Sequence, residues 1–181
     1  SRPFWLKHLR VRSPVHFFCK ALSSLLRMSN MIRASILALS LGMASAENPY
    51  EWKGIFYTKE SKYMWGAQKV NGDYGAGDTF MNMAVIPTSA HTATELEEAT
   101  PAGTAAMGME CEEVLSGGVI KPASGKCFKL VFDQESSQSL YEINTKESDH
   151  TAFFCQHMPT EFEDTDHYLK DMSGVDIEPQ A

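Results

Sequence analysis

Short segments that alternate apolar and polar residues run through most of this sequence, and they limit the folds it can adopt. The clearest lies at 125–133, where Phe128, Leu130 and Phe132 fall on one face of an extended chain. Similar segments occupy 51–58, 61–70, 79–87, 105–115, 139–145 and 150–157. Short strands about ten to twenty residues apart favour an antiparallel β-barrel or sandwich over strand–helix repeats. We therefore predict a mainly β fold of six to seven short strands, with an α+β fold as the alternative.

Local signals add one hairpin turn and two helices to this plan. Asn71-Gly72 stands between two strand-like segments, which is the strongest short hairpin signal. Thr92 precedes Glu95 at the capping-box spacing, and Pro101 is expected to end that helix. The segment 159–172 begins with a proline and carries a helical stripe of Phe162, Asp166 and Leu169, so it predicts a C-terminal helix.

The charge distribution divides the chain into a leader and a mature domain. Residues 1–46 hold seven basic residues and no acid. Residues 31–46 have a basic start, a short apolar run and a terminal Ala44-Ser45-Ala46, the features of a secretory signal peptide cut after Ala46. Residues 1–30 are interpreted as an upstream segment that is not part of the native protein, and 47–181 as a single mature domain. The alternative is that 1–46 form a presequence that directs the protein to an organelle.

The sequence of the mature domain argues against a nucleic-acid partner and against a transmembrane span. Residues 47–181 hold nine lysines, no arginine and all 23 acidic residues, a formal charge of −14. Nucleic-acid recognition depends on arginine forks and basic patches, so we expect no nucleic-acid partner. The longest apolar run is too short to span a bilayer, so we expect no transmembrane span. Cations and small ligands remain as partners, and the sequence identifies no protein partner.

Three cysteines remain after the predicted cleavage, which allows one disulfide and one free thiol in an exported protein. Cys111 and Cys127 flank a turn-rich segment and are expected to be neighbours in a hairpin-like pairing. We therefore predict a bridge between them. Cys155 is left as the free thiol.

The stretch 149–171 combines cysteine, histidine and many carboxylates, and it contains the candidate metal ligands. In a strand, Cys155 and His157 share one face, and thiolate with imidazole suits zinc or copper. Glu161 or His167 would supply a third ligand. His150 lies seven residues before His157, about 23 Å away in an extended chain, so it cannot join the same ion.

Two other interpretations of the same stretch stay open. The acidic run 161–167 offers carboxylates to calcium or another hard cation, although it lacks the EF-hand pattern. The structural alternative is a half-buried cysteine in a strand, followed by carboxylates that stabilise the start of a helix. Weak binding of a divalent cation by the acids is expected in preference to a tight transition-metal site.

These observations predict a secreted, acidic, single-domain binding protein for a cation or a small ligand, and not an enzyme. Trp52, Phe56 and Trp65 are the aromatic residues proposed to line a small-ligand pocket. The alternative is a small secreted carbohydrate-active enzyme with paired carboxylates. Its candidate acids are Asp73, Asp78, Asp166 and Asp171.

Overall fold

Nine strands, one α-helix and one 3-10 turn make up the part of the chain that the computed structural model describes, residues 48–181. The predicted upstream segment 1–30 and signal peptide 31–46 lie outside these residues. The strands are β1 (Trp52–Tyr57), β2 (Lys62–Gln68), β3 (Phe80–Pro87), β4 (Glu112–Leu115), β5 (Val119–Ile120), β6 (Phe128–Val131), β7 (Gln138–Asn144), β8 (His150–Cys155) and β9 (Leu169–Asp171). The helix α1 spans Ala93–Met107, and the 3-10 turn η1 spans Pro159–Phe162.

The strands form two sheets that pack face to face as a sandwich. The first sheet has the order β1-β8-β3-β6-β4 and the second the order β5-β7-β2-β9. Apolar side chains from both sheets fill the space between them, and the ring of Trp65 in β2 stacks on Phe153 in β8 with centroids 5.4 Å apart. The prediction of a mainly β fold is confirmed, and of the two architectures expected the sandwich is the one observed.

Two edge pairs depart from the expected antiparallel order. β4 pairs with β6 and β5 pairs with β7 in parallel, while the other pairs are antiparallel. In each parallel pair the chain forms one strand of the other sheet between the two partners: β5 lies between β4 and β6, and β6 lies between β5 and β7. The second partner therefore enters its sheet from the same end as the first. Local alternation of side chains does not report this change of sheet.

The Asn71-Gly72 turn forms, but the expected hairpin of β2 and β3 does not. Asn71 and Gly72 both have positive φ, 56° and 100°, and they close a single bridge between Val70 and Asp73. β2 belongs to the second sheet and β3 to the first. The turn therefore sends the chain from one sheet to the other.

Helix α1 covers the outer face of the first sheet as a third layer. Thr92 caps it as predicted, since its side chain accepts a hydrogen bond from the Glu95 N–H at 3.3 Å. Pro101 lies inside the helix and does not end it, which corrects the expected boundary. Leu96 and Ala106, on either side of the proline, are buried against the sheet, and this packing offsets the missing backbone hydrogen bond. Within residues 48–181 no helix has the length and apolar character needed to cross a membrane.

The predicted C-terminal helix over 159–172 is wrong. The segment contains only the four residues of η1, and it ends in β9, which pairs with β2. The side-chain oxygen of Gln68 accepts hydrogen bonds from three successive backbone N–H groups, those of Asp164, Thr165 and Asp166, at 2.8–3.0 Å. An α-helix needs those N–H groups for its own turns, so the contact with Gln68 replaces helical hydrogen bonding here.

The last two residues of the chain lie along the outer edge of β1. The N–H of Ile55 donates to the carbonyl of Ala181 at 3.0 Å, and the N–H of Gln180 donates to the carbonyl of Ile55 at 2.8 Å. The outward N–H and carbonyl of Ile55 are therefore both bonded to the C-terminal residues, while β1 pairs with β8 along its other side.

Candidate metal site

Three potential metal ligands meet where β1 begins and β8 ends. β1 and β8 are antiparallel, with Trp52 opposite Cys155, and the N–H of Glu51 donates to the carbonyl of Cys155 at 3.1 Å. This register brings Glu51 beside the residues that follow β8. Ligand atoms of Glu51, His157 and Glu161 lie within 4.8 Å of one another.

The position of Glu161 is fixed by the turn that follows β8. Pro159 and Phe162 of η1 are both buried, and the N–H of Glu161 donates to the carbonyl of Met158 at 3.0 Å. The two apolar side chains point inward, so the intervening Glu161 faces solvent. The turn thus places the carboxylate of Glu161 near the side chain of His157, four residues earlier in the chain.

The imidazole of His157 lies between two carboxylates. Its Nδ1 is 3.8 Å from Glu51 Oε2, and its Nε2 is 3.8 Å from Asp78 Oδ2. Asp78 comes from the loop before β3, where its N–H donates to the carbonyl of Tyr74 at 2.8 Å. In the described part of the chain no lysine forms an ion pair with Glu51, Asp78 or Glu161. The cluster therefore concentrates negative charge around one imidazole, and this arrangement attracts a cation.

This donor set fits a divalent ion of intermediate softness. Imidazole and carboxylate together suit zinc or manganese, whereas calcium prefers six to eight oxygen ligands. Donor atoms around one zinc ion lie about 3.3 Å apart, because each bond is about 2.0–2.2 Å long. Glu51 and Glu161 are exposed, so their side chains are free to rotate inward by the remaining distance.

The structure brings His157 and Glu161 together, but not the other two predicted ligands. Cys155 is the last residue of β8 and is completely buried between the sheets, where burial raises the pKa of its thiol well above the usual value. Because the strand ends at Cys155, the alternation that would align it with His157 stops there. A neutral thiol within the core is not a metal ligand.

His167 is occupied in the loop that precedes β9. Its Nδ1 is 2.7 Å from Glu163 Oε1, and its Nε2 is 3.1 Å from the carbonyl oxygen of Ile177. Both ring nitrogens therefore face partners within the C-terminal segment. The sequence did not identify Glu51, because its proximity to His157 depends on a strand pairing that spans over a hundred residues.

The three aromatic residues expected to line a ligand pocket belong to the core instead. Phe56 and Trp65 are buried between the sheets, and Trp52 packs against them with its ring 5.8 Å from that of Tyr168. Their spacing therefore reflects packing.

A surface cavity of about 300 Å³ lies instead on the outer face of the second sheet. Met64 and Leu140 line its apolar part, and Lys170 is the cation at its rim. The Lys170 ammonium pairs with Asp166 and lies 3.6 Å from Asp176. Since these charges are already paired with each other, the cavity offers a ligand less than the Glu51, His157 and Glu161 cluster does.

The Cys111–Cys127 bridge is confirmed. The two α-carbons are 4.4 Å apart, and the N–H of Glu112 donates to the carbonyl of Cys127 at 2.9 Å. The cysteines stand directly before β4 and β6, which pair in parallel with Glu112 opposite Phe128. The bridge therefore extends a parallel ladder, where a hairpin-like pairing had been expected.

No protein-family model, curated protein or solved structure matches this chain.

Proposed function

We propose that this chain is a secreted, acidic binding protein that takes up one divalent cation, zinc in preference to calcium, through Glu51, His157 and Glu161. The observation that carries the proposal is the convergence of these three side chains, from two separate parts of the sequence, within 4.8 Å. Asp78 lies on the other side of the imidazole and adds a further negative charge. The affinity is modest, because two of the three ligands are exposed and remain hydrated when the ion is absent.

Export through the secretory pathway forms part of the proposal. The disulfide between Cys111 and Cys127 supports it, because such bonds persist in oxidising compartments. N-terminal sequencing of the exported protein should give Glu-Asn-Pro-Tyr, the residues that follow Ala46. A mature chain that still carries Arg33 contradicts this, and a protein recovered from an organelle supports the presequence instead.

The alternative of a carbohydrate-active enzyme has less support. A general acid of that chemistry needs a raised pKa. The pKa of Asp166 is lowered by the hydrogen bond from Lys170, and the pKa of Asp171 is lowered by the hydrogen bond from Ser173. Both carboxyl groups are therefore suited to structural hydrogen bonds and not to donating a proton.

Calorimetric titration of the whole chain with zinc, manganese and calcium tests the proposal. We expect one zinc ion per chain, weaker manganese binding, and little heat with calcium. The variants Glu51→Gln, His157→Gln and Glu161→Gln each remove one donor while retaining the size of the side chain. Each should weaken zinc binding about tenfold or more, the loss typical of a disturbed metal site.

Glu147→Gln is the matched control. Glu147 is exposed and lies outside the cluster, so this variant changes the net charge by the same amount as Glu161→Gln. Zinc affinity should stay unchanged in it. An equal loss in Glu147→Gln and Glu161→Gln means that the acidic surface attracts cations diffusely, and unchanged binding in His157→Gln means that the imidazole is not a ligand. Either result rejects the proposed site.

A further inference from the structure

Two histidines that are distant in sequence meet at one end of the first sheet. His91 stands directly before Thr92, the capping residue of α1, and His150 is the first residue of β8. Their Nδ1 atoms are 3.1 Å apart. The pair therefore joins the start of the helix to the start of a central strand.

The surroundings hold both rings in position. The ring of Tyr57, opposite His150 in the strand register, lies 5.2 Å from the His150 ring and nearly parallel to it. The same tyrosine ring is 5.0 Å from the His91 ring. The carbonyl of His150 accepts hydrogen bonds from the Thr88 N–H and the Ser148 hydroxyl, so the backbone is fixed as well.

We propose that His91 and His150 form a second metal site, which binds one divalent copper ion through the two Nδ1 atoms. Imidazole is a favoured ligand of copper, and among the first-row divalent ions copper binds such nitrogens most strongly. In a square-planar complex with bonds of about 2.0 Å, like the zinc–nitrogen distance, neighbouring nitrogens lie about 2.8 Å apart. The observed separation of 3.1 Å is close to this distance, so the two rings need to turn toward a shared ion but not to move apart.

The two rings can exchange their hydrogen bond for a metal ion without losing a proton. In the neutral pair one ring donates its Nδ1–H and the other accepts with a bare Nδ1. When copper binds, the donor ring moves that proton to its Nε2 through solvent, and each Nδ1 then gives a lone pair to the ion. Water completes the coordination, because in residues 48–181 the one cluster of three or more potential ligands is the Glu51 site.

This site is separate from the proposed zinc site and differs from it in chemistry. His150 begins β8 and His157 follows its end, about 23 Å along an extended chain. The first site offers one nitrogen and two carboxylate oxygens, and the second offers two nitrogens. The number of nitrogens bound to copper therefore identifies which site is occupied.

Electron paramagnetic resonance of the whole chain with one equivalent of copper(II) tests the proposal. We expect superhyperfine coupling from two nitrogens in the unmodified protein. His91→Gln and His150→Gln should each abolish the two-nitrogen pattern and weaken copper binding about tenfold or more. His157→Gln, the matched control, should leave the pattern unchanged.

Two outcomes overturn the second site. One is a spectrum of the unmodified protein with coupling from at most one nitrogen, a result that requires no variant to fold. The other is a two-nitrogen spectrum that persists in His150→Gln or is lost in His157→Gln. Zinc titration of His91→Gln and His150→Gln serves as the folding control, since the Glu51 site should bind zinc as before. A negative copper result at His91 and His150 therefore leaves the proposed zinc function intact. A negative zinc result at the Glu51 site likewise leaves the proposed copper site intact.

Discussion

Gly103 of helix α1 lies directly against the ring of Phe154 in β8. A β-carbon built on Gly103 would be 2.5 Å from two carbon atoms of that ring, well inside van der Waals contact. Phe154 is completely buried, so its ring has little room to move. The helix approaches the first sheet this closely because residue 103 has no side chain.

Replacing this glycine should therefore destabilise the protein even though alanine favours helices. Gly103→Ala gains about 1 kcal/mol of helix propensity but forces the buried ring and the helix apart, and we expect a net loss of about 1–3 kcal/mol. Urea unfolding measures the difference. Gly108→Ala, at the end of the same helix with its nearest contacts at 3.6 Å, is the control and should be neutral or slightly stabilising. Equal stability of the two variants contradicts the close packing of Gly103.

Loss of the disulfide should lower stability by a similar amount. The bridge closes a loop with a sequence separation of 16 residues, for which the chain-entropy model gives about 3 kcal/mol. We expect the double variant Cys111→Ser, Cys127→Ser to unfold at a lower urea concentration than the oxidised protein. Adding a reductant should lower the midpoint of the oxidised protein and leave that of the variant unchanged. A reductant effect on the variant shows that another bond is involved.

Gln68 should control the order of the segment between η1 and β9. Gln68→Met keeps the length of the side chain but leaves the N–H groups of Asp164, Thr165 and Asp166 without their acceptor. Because these three residues are exposed, water can replace the lost acceptor, and we expect the local order of the segment to decrease more than the global stability. Hydrogen exchange of these three amides should accelerate. Gln138 is an exposed residue opposite Gln68 in β7, and the control variant Gln138→Met should leave the exchange of these amides unchanged. If Gln68→Met does not accelerate their exchange, Gln68 does not order this segment.

The tyrosines predict a loss of stability at alkaline pH. Burial raises the pKa of Tyr63, Tyr74, Tyr141 and Tyr168 above the usual value of 10. The unfolded chain releases these protons near pH 10, while the folded protein retains them. The stabilisation is thus complete below pH 10 and is lost as the pH rises above it, by up to about 1.4 kcal/mol per pH unit for each tyrosine.

Phenolate absorbance measured against pH tests this prediction. Four of the six tyrosines should ionise together with unfolding, above the pH at which the urea-unfolded chain titrates. In the unmodified protein the buried hydroxyl of Tyr141 donates to the carbonyl of Val131 at 2.7 Å. Tyr141→Phe removes this hydroxyl and should reduce the pH dependence of the free energy of unfolding. Ionisation of all six tyrosines before any unfolding is the contrary result.

The sequence predicted the features that depend on neighbouring residues. Alternation located most of the longer strands, such as β3 and β8, and the capping-box spacing located the start of α1. The disulfide was also predicted, although its parallel ladder was not. The C-terminal helix failed because the segment's N–H groups bond to Gln68, a residue almost a hundred positions earlier, which no local pattern reports.

The sequence identified two of the three residues of the candidate metal site. His157 and Glu161 are close in sequence and were identified there, while Glu51 depends on the register of β1 against β8. Cys155 has the residue type of a ligand but faces the core, and the alternating pattern cannot distinguish the two faces of a strand that is covered on both sides. The His91 and His150 pair likewise depends on how α1 lies on the sheet.

The contact between Ile55 and the last two residues also covers part of a sheet edge, since β1 is the outermost strand of the first sheet. An uncovered edge strand presents unpaired N–H and carbonyl groups, to which a strand of another chain can add, and such addition leads to aggregation. Gln180 and Ala181 occupy those groups at the middle of β1. A truncation that removes them, or a fusion that pulls them away, would leave the outward N–H and carbonyl of Ile55 unpaired, and we expect such variants to associate with their own copies more readily.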